Sequence, residues 1–256
     1  MLIFCSLSAV EVTLLCVFAP FGYAQGPDLS ASVAEHTANL VTERSRSAPV
    51  KSNSNILMCI MKKAETDSIV EKHPWGLFVP ENARVLMLGS FPPLRKRWCM
   101  DFYYPNINND MWRIMGQIYY GNKDEFIVPG EKRFDREKIV AFLREEGIAL
   151  GDVATSVVRE NGDSSDLHLK VVETIDLERV LASAPHLDTI VVTGEKACVA
   201  LCESLGAGKL KAGQSAEVQV AGRKVVLWRL VSSSRAYPLA FDKKVEIYRR
   251  VYRKFR

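Results

Sequence analysis

The sequence has few cysteines and histidines, and none of them are spaced like metal ligands. Six cysteines and four histidines occur among 256 residues. No two cysteines are separated by two residues and no two histidines by three, so the usual zinc-binding spacings are missing. Residues 61–256 hold too few cysteines for a four-thiolate iron–sulfur cluster. We therefore expect no metal, no cofactor, and a reducing, cytoplasmic compartment.

The chain also lacks internal repeats and the Gly-Lys-Ser or Gly-Lys-Thr sequence of a nucleotide P-loop. Its 48% hydrophobic and 25% charged residues are ordinary for a globular protein, which excludes collagen-like and wholly disordered chains. The length suffices for one large domain or two small ones with a substantial core. The net charge is only +4, and this small excess permits an anionic partner without requiring one.

Residues 1–60 differ in composition from the rest of the chain. Residues 1–24 resemble a secretory signal, but they hold no Lys or Arg, and Glu11 and Pro20 break the apolar run too much for a membrane span. Residues 25–57 are rich in Ser, Ala, Thr and Asn, which favours a disordered linker. Met61 offers an alternative start, in which case the first sixty residues are an artefact of start-codon choice. Under both interpretations residues 61–256 are predicted to form a single domain without membrane association.

From residue 83 onward, predicted strands alternate with predicted helices. Short apolar or β-branched runs indicate strands at 83–91, 148–153, 188–193 and 224–231, with a hairpin partner at 218–220. Apolar residues at helical spacing indicate helices at 109–120, 135–146, 176–184, 194–205 and 241–255. This order predicts an α/β fold with a largely parallel central sheet. Ligands bind such sheets where the strands end, so the loops after Leu88, Leu150, Val192 and Leu230 are expected to carry the chemistry.

The first of these loops is Gly89-Ser90-Phe91-Pro92-Pro93. A glycine at a strand end lets backbone amides approach a ligand closely, and an aromatic ring beside it can stack on a flat base. These residues are therefore candidates for substrate binding. The alternative is a tight turn with the Phe91 ring packed in the core.

Three asparagines and an aspartate lie just before or at the start of the next predicted helix. An amide can orient a water molecule or read the edge of a base, so Asn106, Asn108 and Asn109 are candidate site residues. The alternative for Asn108 or Asn109 is a helix N-cap. Tyr104 in the same segment is a further candidate for substrate binding, whereas Trp112 is expected in the core.

Two further strand ends carry polar groups. Asp152 follows Gly151, where its carboxylate either accepts loop hydrogen bonds or stabilises positive charge that develops in a transition state. The segment Ser232–Arg235 suits contacts to phosphate, although a solvated loop has the same composition. The basic side chains expected to flank this face are Arg95, Lys96, Arg97, Lys243, Lys244, Arg249, Arg250 and Arg253.

Five segments, in this order, resemble the uracil-DNA glycosylase superfamily and are most similar to its hypoxanthine-DNA glycosylase-like branch. They are LMLGSFPP at 86–93, FYYPNINNDMWRIMG at 102–116, GIALGDV at 147–153, VVTGEKA at 191–197 and LVSSSRAYP at 230–238. They are spread over most of residues 83–256 and include none of residues 1–60. Three positions depart from the branch: Pro93 replaces a small residue, Met111 an aromatic residue and Gly151 a tryptophan.

The resemblance implies a three-layer αβα sandwich with a short, mainly parallel sheet. It implies a monofunctional DNA glycosylase, a hydrolase without cofactor that cleaves the N-glycosidic bond of uracil or hypoxanthine. Gly89, Ser90, Phe91 and Pro92 match the base-pocket loop, Asn109 the catalytic asparagine, and Ser232, Ser233, Ser234 and Arg235 the loop that contacts DNA. We assign Asp152 the second catalytic role, which is stabilisation of the cationic sugar. The expected partner is DNA with a damaged base, bound by a monomer.

Two other functions fit the same residues. A DNA- or nucleotide-binding module that has lost its catalytic site would keep the fold and the basic face. A small-molecule hydrolase or transferase would use the same scaffold, because a fold alone does not fix a function.

Overall fold

The computed structural model describes residues 69–160 and 168–252. The predictions for residues 1–60, for a start at Met61 and for Arg253 lie outside this part of the chain. The strands are β1 (Val70–Lys72), β2 (Val85–Gly89), β3 (Ile148–Asp152), β4 (Ala154–Arg159), β5 (Leu169–Thr174), β6 (Thr189–Thr193), β7 (Ser215–Val220) and β8 (Arg223–Leu230). The α-helices are α1 (Met111–Tyr119), α2 (Arg136–Glu145), α3 (Leu177–Ser183), α4 (Glu195–Ser204) and α5 (Phe241–Tyr252), and a 3-10 turn covers Arg95–Arg97. No helix within residues 69–160 or 168–252 is long and apolar enough to cross a membrane.

In the described residues the central sheet has five strands in the order β3-β2-β6-β8-β7. The neighbours β3 and β2, β2 and β6, and β6 and β8 pair in parallel, whereas β7 is antiparallel to β8. Ala221 and Gly222 join β7 to β8 with φ angles of 49° and 77°, the left-handed values that a tight hairpin requires. The predicted α/β class and the predicted hairpin are both confirmed.

Alternate side chains of the buried strands pack against helices on opposite faces of this sheet. Val85 and Met87 of β2 belong to the cluster formed with α1, α2 and α5. Leu86 and Leu88 belong to the cluster formed with α3 and α4. Successive strand residues point to opposite faces, so an uninterrupted apolar strand is stable only when both faces are covered. Trp112 is fully buried, as expected.

A second, antiparallel sheet was not predicted from the sequence. Within the described part of the chain it contains three strands in the order β1-β4-β5. One residue, Val153, separates β3 from β4, and the sequence predicted a strand at 148–153 with none directly after it. The chain leaves the central sheet there, and Val153 N donates to Gly89 O at 2.9 Å. This second sheet brings the segment after β1 against the end of β3.

Candidate active site

The carboxyl ends of the central strands surround a cleft of about 660 Å³, a volume that suits a small ligand or an extruded base. Gly89 ends β2, Asp152 ends β3 and Thr193 ends β6, and all three line this cleft. The cleft therefore lies where the parallel topology predicts a ligand site. Its lining residues are Trp75, Gly89–Pro93, Arg97, Tyr104–Asn106, Asn109, Asp152, Thr193, Ser232–Ser234 and Ala236–Pro238.

All of the site residues predicted from the sequence except Asn108 and Arg235 line this cleft. Gly89, Ser90, Phe91, Pro92, Tyr104, Asn109, Asp152, Ser232, Ser233 and Ser234 are brought together from four separate loops. Arg235 is absent from the lining, and its Nε instead donates to Asp110 Oδ1 at 2.8 Å. Its side chain is half exposed, so contact with DNA stays a prediction for Arg235. The roles assigned to the other residues stay predictions too.

The predicted helix N-cap at Asn108 or Asn109 is wrong, because Asp110 is the N-cap of α1, but the Asn109 side chain does contact the backbone at the start of the helix. Its Oδ1 accepts a hydrogen bond from Met111 N at 2.9 Å, which satisfies one of the N–H groups at the start of α1. The same side chain lines the cleft. Because a backbone N–H requires an acceptor, this contact fixes which end of the amide is oxygen. Asn106 also lines the cleft, whereas Asn108 is exposed and outside it.

Asp152 and Gly89 are neighbours across the parallel pair of β3 and β2. A β-carbon placed on Gly89 would overlap Asp152 Oδ1 and would lie 3.3 Å from Tyr104 Oη. Only glycine therefore lets the carboxylate occupy its position at the end of the strand. Burial raises the pKa of Tyr104 well above its ordinary value, and the negative charge of Asp152 raises it further.

Tyr104 stays a neutral phenol in this environment. Its Oη lies 3.0 Å from Thr193 Oγ1, and Thr193 Oγ1 donates to Leu88 O at 3.2 Å, so Tyr104 is the donor of the pair. Its backbone has a φ of 51°, a left-handed conformation that costs a non-glycine residue about 1 kcal/mol or more. Such strain concentrates at functional sites, where the surroundings hold the residue in place.

Phe91 has less free surface than the stacking interpretation suggests. Its side chain is 9% exposed. The His73 ring meets it edge-on at 5.4 Å, and the Arg159 guanidinium lies 5.5 Å from the ring centre. The structure therefore supports the alternative of a ring packed in the core, although Phe91 is also among the residues that line the cleft.

His73 was not singled out in the sequence. It immediately follows β1, and its Nε2 lies 2.9 Å from Asp152 Oδ2, with both side chains 8% exposed. Nothing in the segment Glu71–Trp75 marks this histidine as functional, because the partner carboxylate is distant in the sequence and the antiparallel sheet that joins them was not predicted. His73 is followed by Pro74, and a histidine before a proline is by itself only weak evidence of a functional site.

A buried charged network connects Asn109 to residues Ser232–Ser234, which we call the serine loop. Asp110 N donates to Ser233 O at 2.9 Å, and Asn109 pairs with Ser234 in an isolated antiparallel bridge. Lys244 Nζ lies 3.2 Å from Asp110 Oδ2 and donates to Ser234 O at 2.8 Å. The expected surface role of Lys244 is wrong, because its side chain is 1% exposed. On α5 it faces inward and ties the two loops together.

Replacing Lys244 by methionine is expected to lower the free energy of unfolding by about 3 kcal/mol, because Asp110 loses a buried partner. Urea-induced unfolding measures the change. Lys243→Met is the matched control, since Lys243 is 69% exposed and pairs with Glu246 at the surface. The control is expected to change stability by less than about 0.5 kcal/mol. Equal effects of the two substitutions would contradict the structural role of Lys244.

Two comparisons with known proteins, one of sequence and one of structure, both find DNA glycosylases. No protein-family model matches the chain. The curated hypoxanthine DNA glycosylase of Methanosarcina acetivorans is 30% identical over 129 residues, which are 49% of this chain and 73% of the relative. The solution NMR structure of a uracil DNA glycosylase candidate from the same organism has a TM-score of 0.50 at 24% identity, covering 73% of this chain and 99% of that one. The second likeness supports the fold alone. The chain belongs to the family of this hypoxanthine DNA glycosylase, the branch of the uracil-DNA glycosylase superfamily that its sequence resembles.

Proposed function

We propose that this protein is a monofunctional DNA glycosylase that hydrolyses the N-glycosidic bond of a deaminated base, uracil or hypoxanthine, in base-excision repair. The observation that carries the proposal is that Asn109 and Asp152 line one cleft together with the Gly89–Pro92 loop. The proposal includes the architecture of the domain. The helices on the two faces of the central sheet make a three-layer αβα sandwich, and the base binds at the carboxyl ends of its strands. The expected cytoplasmic location and monomeric state stay predictions.

The target base must leave the DNA stack before it can enter the cleft. Extrusion costs a few kcal/mol, less at a damaged pair, and backbone contacts offset part of it. Ser232, Ser233 and Ser234 line the cleft beside Asn109 and are the proposed contacts to the DNA strand. The buried pair of Asp110 and Lys244 holds this loop in a fixed position beside Asn109. Binding of the DNA strand and positioning of the base are therefore linked through one segment of the protein.

Bond cleavage creates positive charge on the sugar and negative charge on the departing base. In the proposed mechanism Asp152 stabilises the sugar cation, and backbone amides of the Gly89–Pro92 loop meet the oxygen of the base. Asn109 orients the attacking water, since an amide is a poor base and acts by position. Among the residues that line the cleft in the described part of the chain there is no lysine. This composition favours hydrolysis over Schiff-base chemistry, which needs an amine nucleophile.

The direct test uses the full chain on oligonucleotides that each carry one uracil, hypoxanthine or xanthine. Treatment with alkali converts abasic sites into strand breaks, so base release is measured as cleavage. We expect release of uracil or hypoxanthine and none from an undamaged control strand. A folded protein that binds these strands without releasing any of the bases would favour the non-catalytic binding module instead.

DNA affinity is expected to fall steeply with salt concentration, which a small-molecule enzyme would not show. Arg97 lines the mouth of the cleft and is exposed. Arg97→Gln should reduce the slope of log K against log salt by roughly 0.9, because one phosphate contact is lost. Lys224→Gln at the opposite, amino-terminal end of β8 is the control and should leave the slope unchanged. An unchanged slope for Arg97→Gln would remove this residue from the DNA interface.

A further inference from the structure

The histidine that follows β1 and the aspartate that ends β3 come from different sheets and meet beneath the cleft. His73 N donates to Thr155 O at 2.8 Å, which extends the pairing of β1 with β4 by one residue. This backbone contact fixes the position of the imidazole, whose Nε2 lies 2.9 Å from Asp152 Oδ2. Asp152 lines the cleft, whereas His73 does not.

Aromatic neighbours hold the imidazole in one orientation. It stacks on Tyr103 with ring centres 5.6 Å apart and an interplanar angle of 27°. The rings of Phe91 and Trp75 meet it edge-on at 5.4 Å and 5.7 Å. Its Nδ1 lies 2.7 Å from Trp75 O and 3.2 Å from Trp75 N. A ring enclosed in this way has little freedom to turn, so Nε2 stays directed at Asp152.

The contact with Nε2 sets the orientation of the Asp152 carboxylate. An ionised carboxylate only accepts hydrogen bonds, so with Asp152 ionised Nε2 carries the proton that joins it to Oδ2. The other oxygen, Oδ1, lies against Gly89, where a β-carbon would overlap it. The histidine therefore holds Oδ2, and Oδ1 lies at the edge of the strand that borders the cleft.

We propose that His73 is a positioning residue that acts on the reaction only through Asp152. Its Nε2–H holds Oδ2 and fixes the carboxylate where positive charge develops on the sugar. A preorganised charge is effective in catalysis because it does not have to reorient during the reaction. This inference rests on the proposed glycosylase function, since it assigns a role within the same site.

Two substitutions of His73 separate its two hydrogen bonds. Glutamine reaches as far as Nε2 and can donate to Asp152, whereas asparagine reaches only as far as Nδ1 and retains the contact with Trp75. We expect His73→Asn to slow single-turnover base release by on the order of tenfold to a hundredfold, with DNA affinity unchanged. His73→Gln should recover most of the rate. Equal rates for His73→Asn and the native protein would overturn the proposal.

A double substitution tests whether His73 works through Asp152. In the Asp152→Asn background, His73→Asn should cause no further loss of rate, because the carboxylate that it positions is gone. Losses that multiply in the double variant would show that His73 acts independently, which contradicts the proposal. Thermal unfolding of each variant identifies any that fail to fold, and in that case His73→Gln carries the comparison.

The hydrogen bond itself is tested without activity by nitrogen NMR of the histidine rings in the free, full-length protein. The His73 signals are identified by their loss in His73→Gln. We expect a protonated Nε2 whose shift changes in Asp152→Asn. An unprotonated Nε2 would overturn the proposal even if base release is observed. Conversely, a protein with this hydrogen bond that releases no deaminated base would refute the proposed function and leave the pairing intact.

Discussion

Replacing Asn109 by alanine is expected to slow base release by about 10²- to 10³-fold, the loss typical of removing one oriented polar group from a transition state. DNA affinity should change little, because Ser232–Ser234 and Arg97 are untouched. The substitution also removes the acceptor for Met111 N, which should lower the free energy of unfolding by about 1 kcal/mol. Single-turnover kinetics with a uracil or hypoxanthine strand, together with urea unfolding, measure both effects.

Asn109→Asp separates the contact with the helix backbone from the chemistry. Aspartate keeps an acceptor for Met111 N, but it loses the amide and adds a negative charge. Its stability should therefore be close to that of the native protein while its rate stays low. Asn108→Ala is the control from the same segment, exposed and outside the cleft, and should be neutral for the rate. A native rate for Asn109→Ala would leave Asn109 with only its structural contact to Met111 N.

The second large effect is expected at Gly89, where any β-carbon overlaps Asp152 Oδ1. Gly89→Ala must displace the carboxylate or spread β2 from β3. A displacement of about 1 Å in a catalytic group can reduce a rate by roughly a hundredfold, and the overpacking should destabilise the fold by about 1–3 kcal/mol. We expect a folded protein with DNA affinity near native and base release reduced by about a hundredfold or more.

Gly208→Ala is the matched control, because nothing lies within 4 Å of a β-carbon built there. It should leave both rate and affinity unchanged. The free energy of unfolding of Gly89→Ala determines how much of the lost rate reflects unfolded protein. If Gly89→Ala is folded and retains the native rate, the position of Asp152 beside β2 is not needed for the reaction.

The sequence was sufficient to predict the central sheet and most of the cleft. Strands such as Val85–Gly89 are apolar throughout and end in glycine or a polar residue, so periodicity identifies them and the parallel topology places their ends together. Helix ends were also predictable, because Asp135 accepts from Lys138 N and Asp176 accepts from Arg179 N at the starts of α2 and α3. Local signals of this kind do not depend on distant contacts.

The features that were missed depend on contacts between distant segments. His73 acquires its significance only through Asp152. The antiparallel sheet that joins them contains β4, which a single residue separates from β3. In the sequence Lys244 is one of several basic residues on the terminal helix. In the structure its ammonium group is buried, where it contacts Asp110 and donates to Ser234 O. Composition and spacing describe a helix face, whereas the identity of a buried partner is set by the packing of the whole domain.

The central claim is hydrolysis of one glycosidic bond without breakage of the DNA strand. The most direct measurement incubates excess protein with a strand that carries one deaminated base, then quantifies free base and intact strand before any alkali is added. The account predicts free uracil or hypoxanthine in an amount equal to the abasic sites, with the strand unbroken until alkali treatment. Strand breakage before alkali would contradict monofunctional hydrolysis, and bound DNA without any free base would contradict a glycosylase altogether.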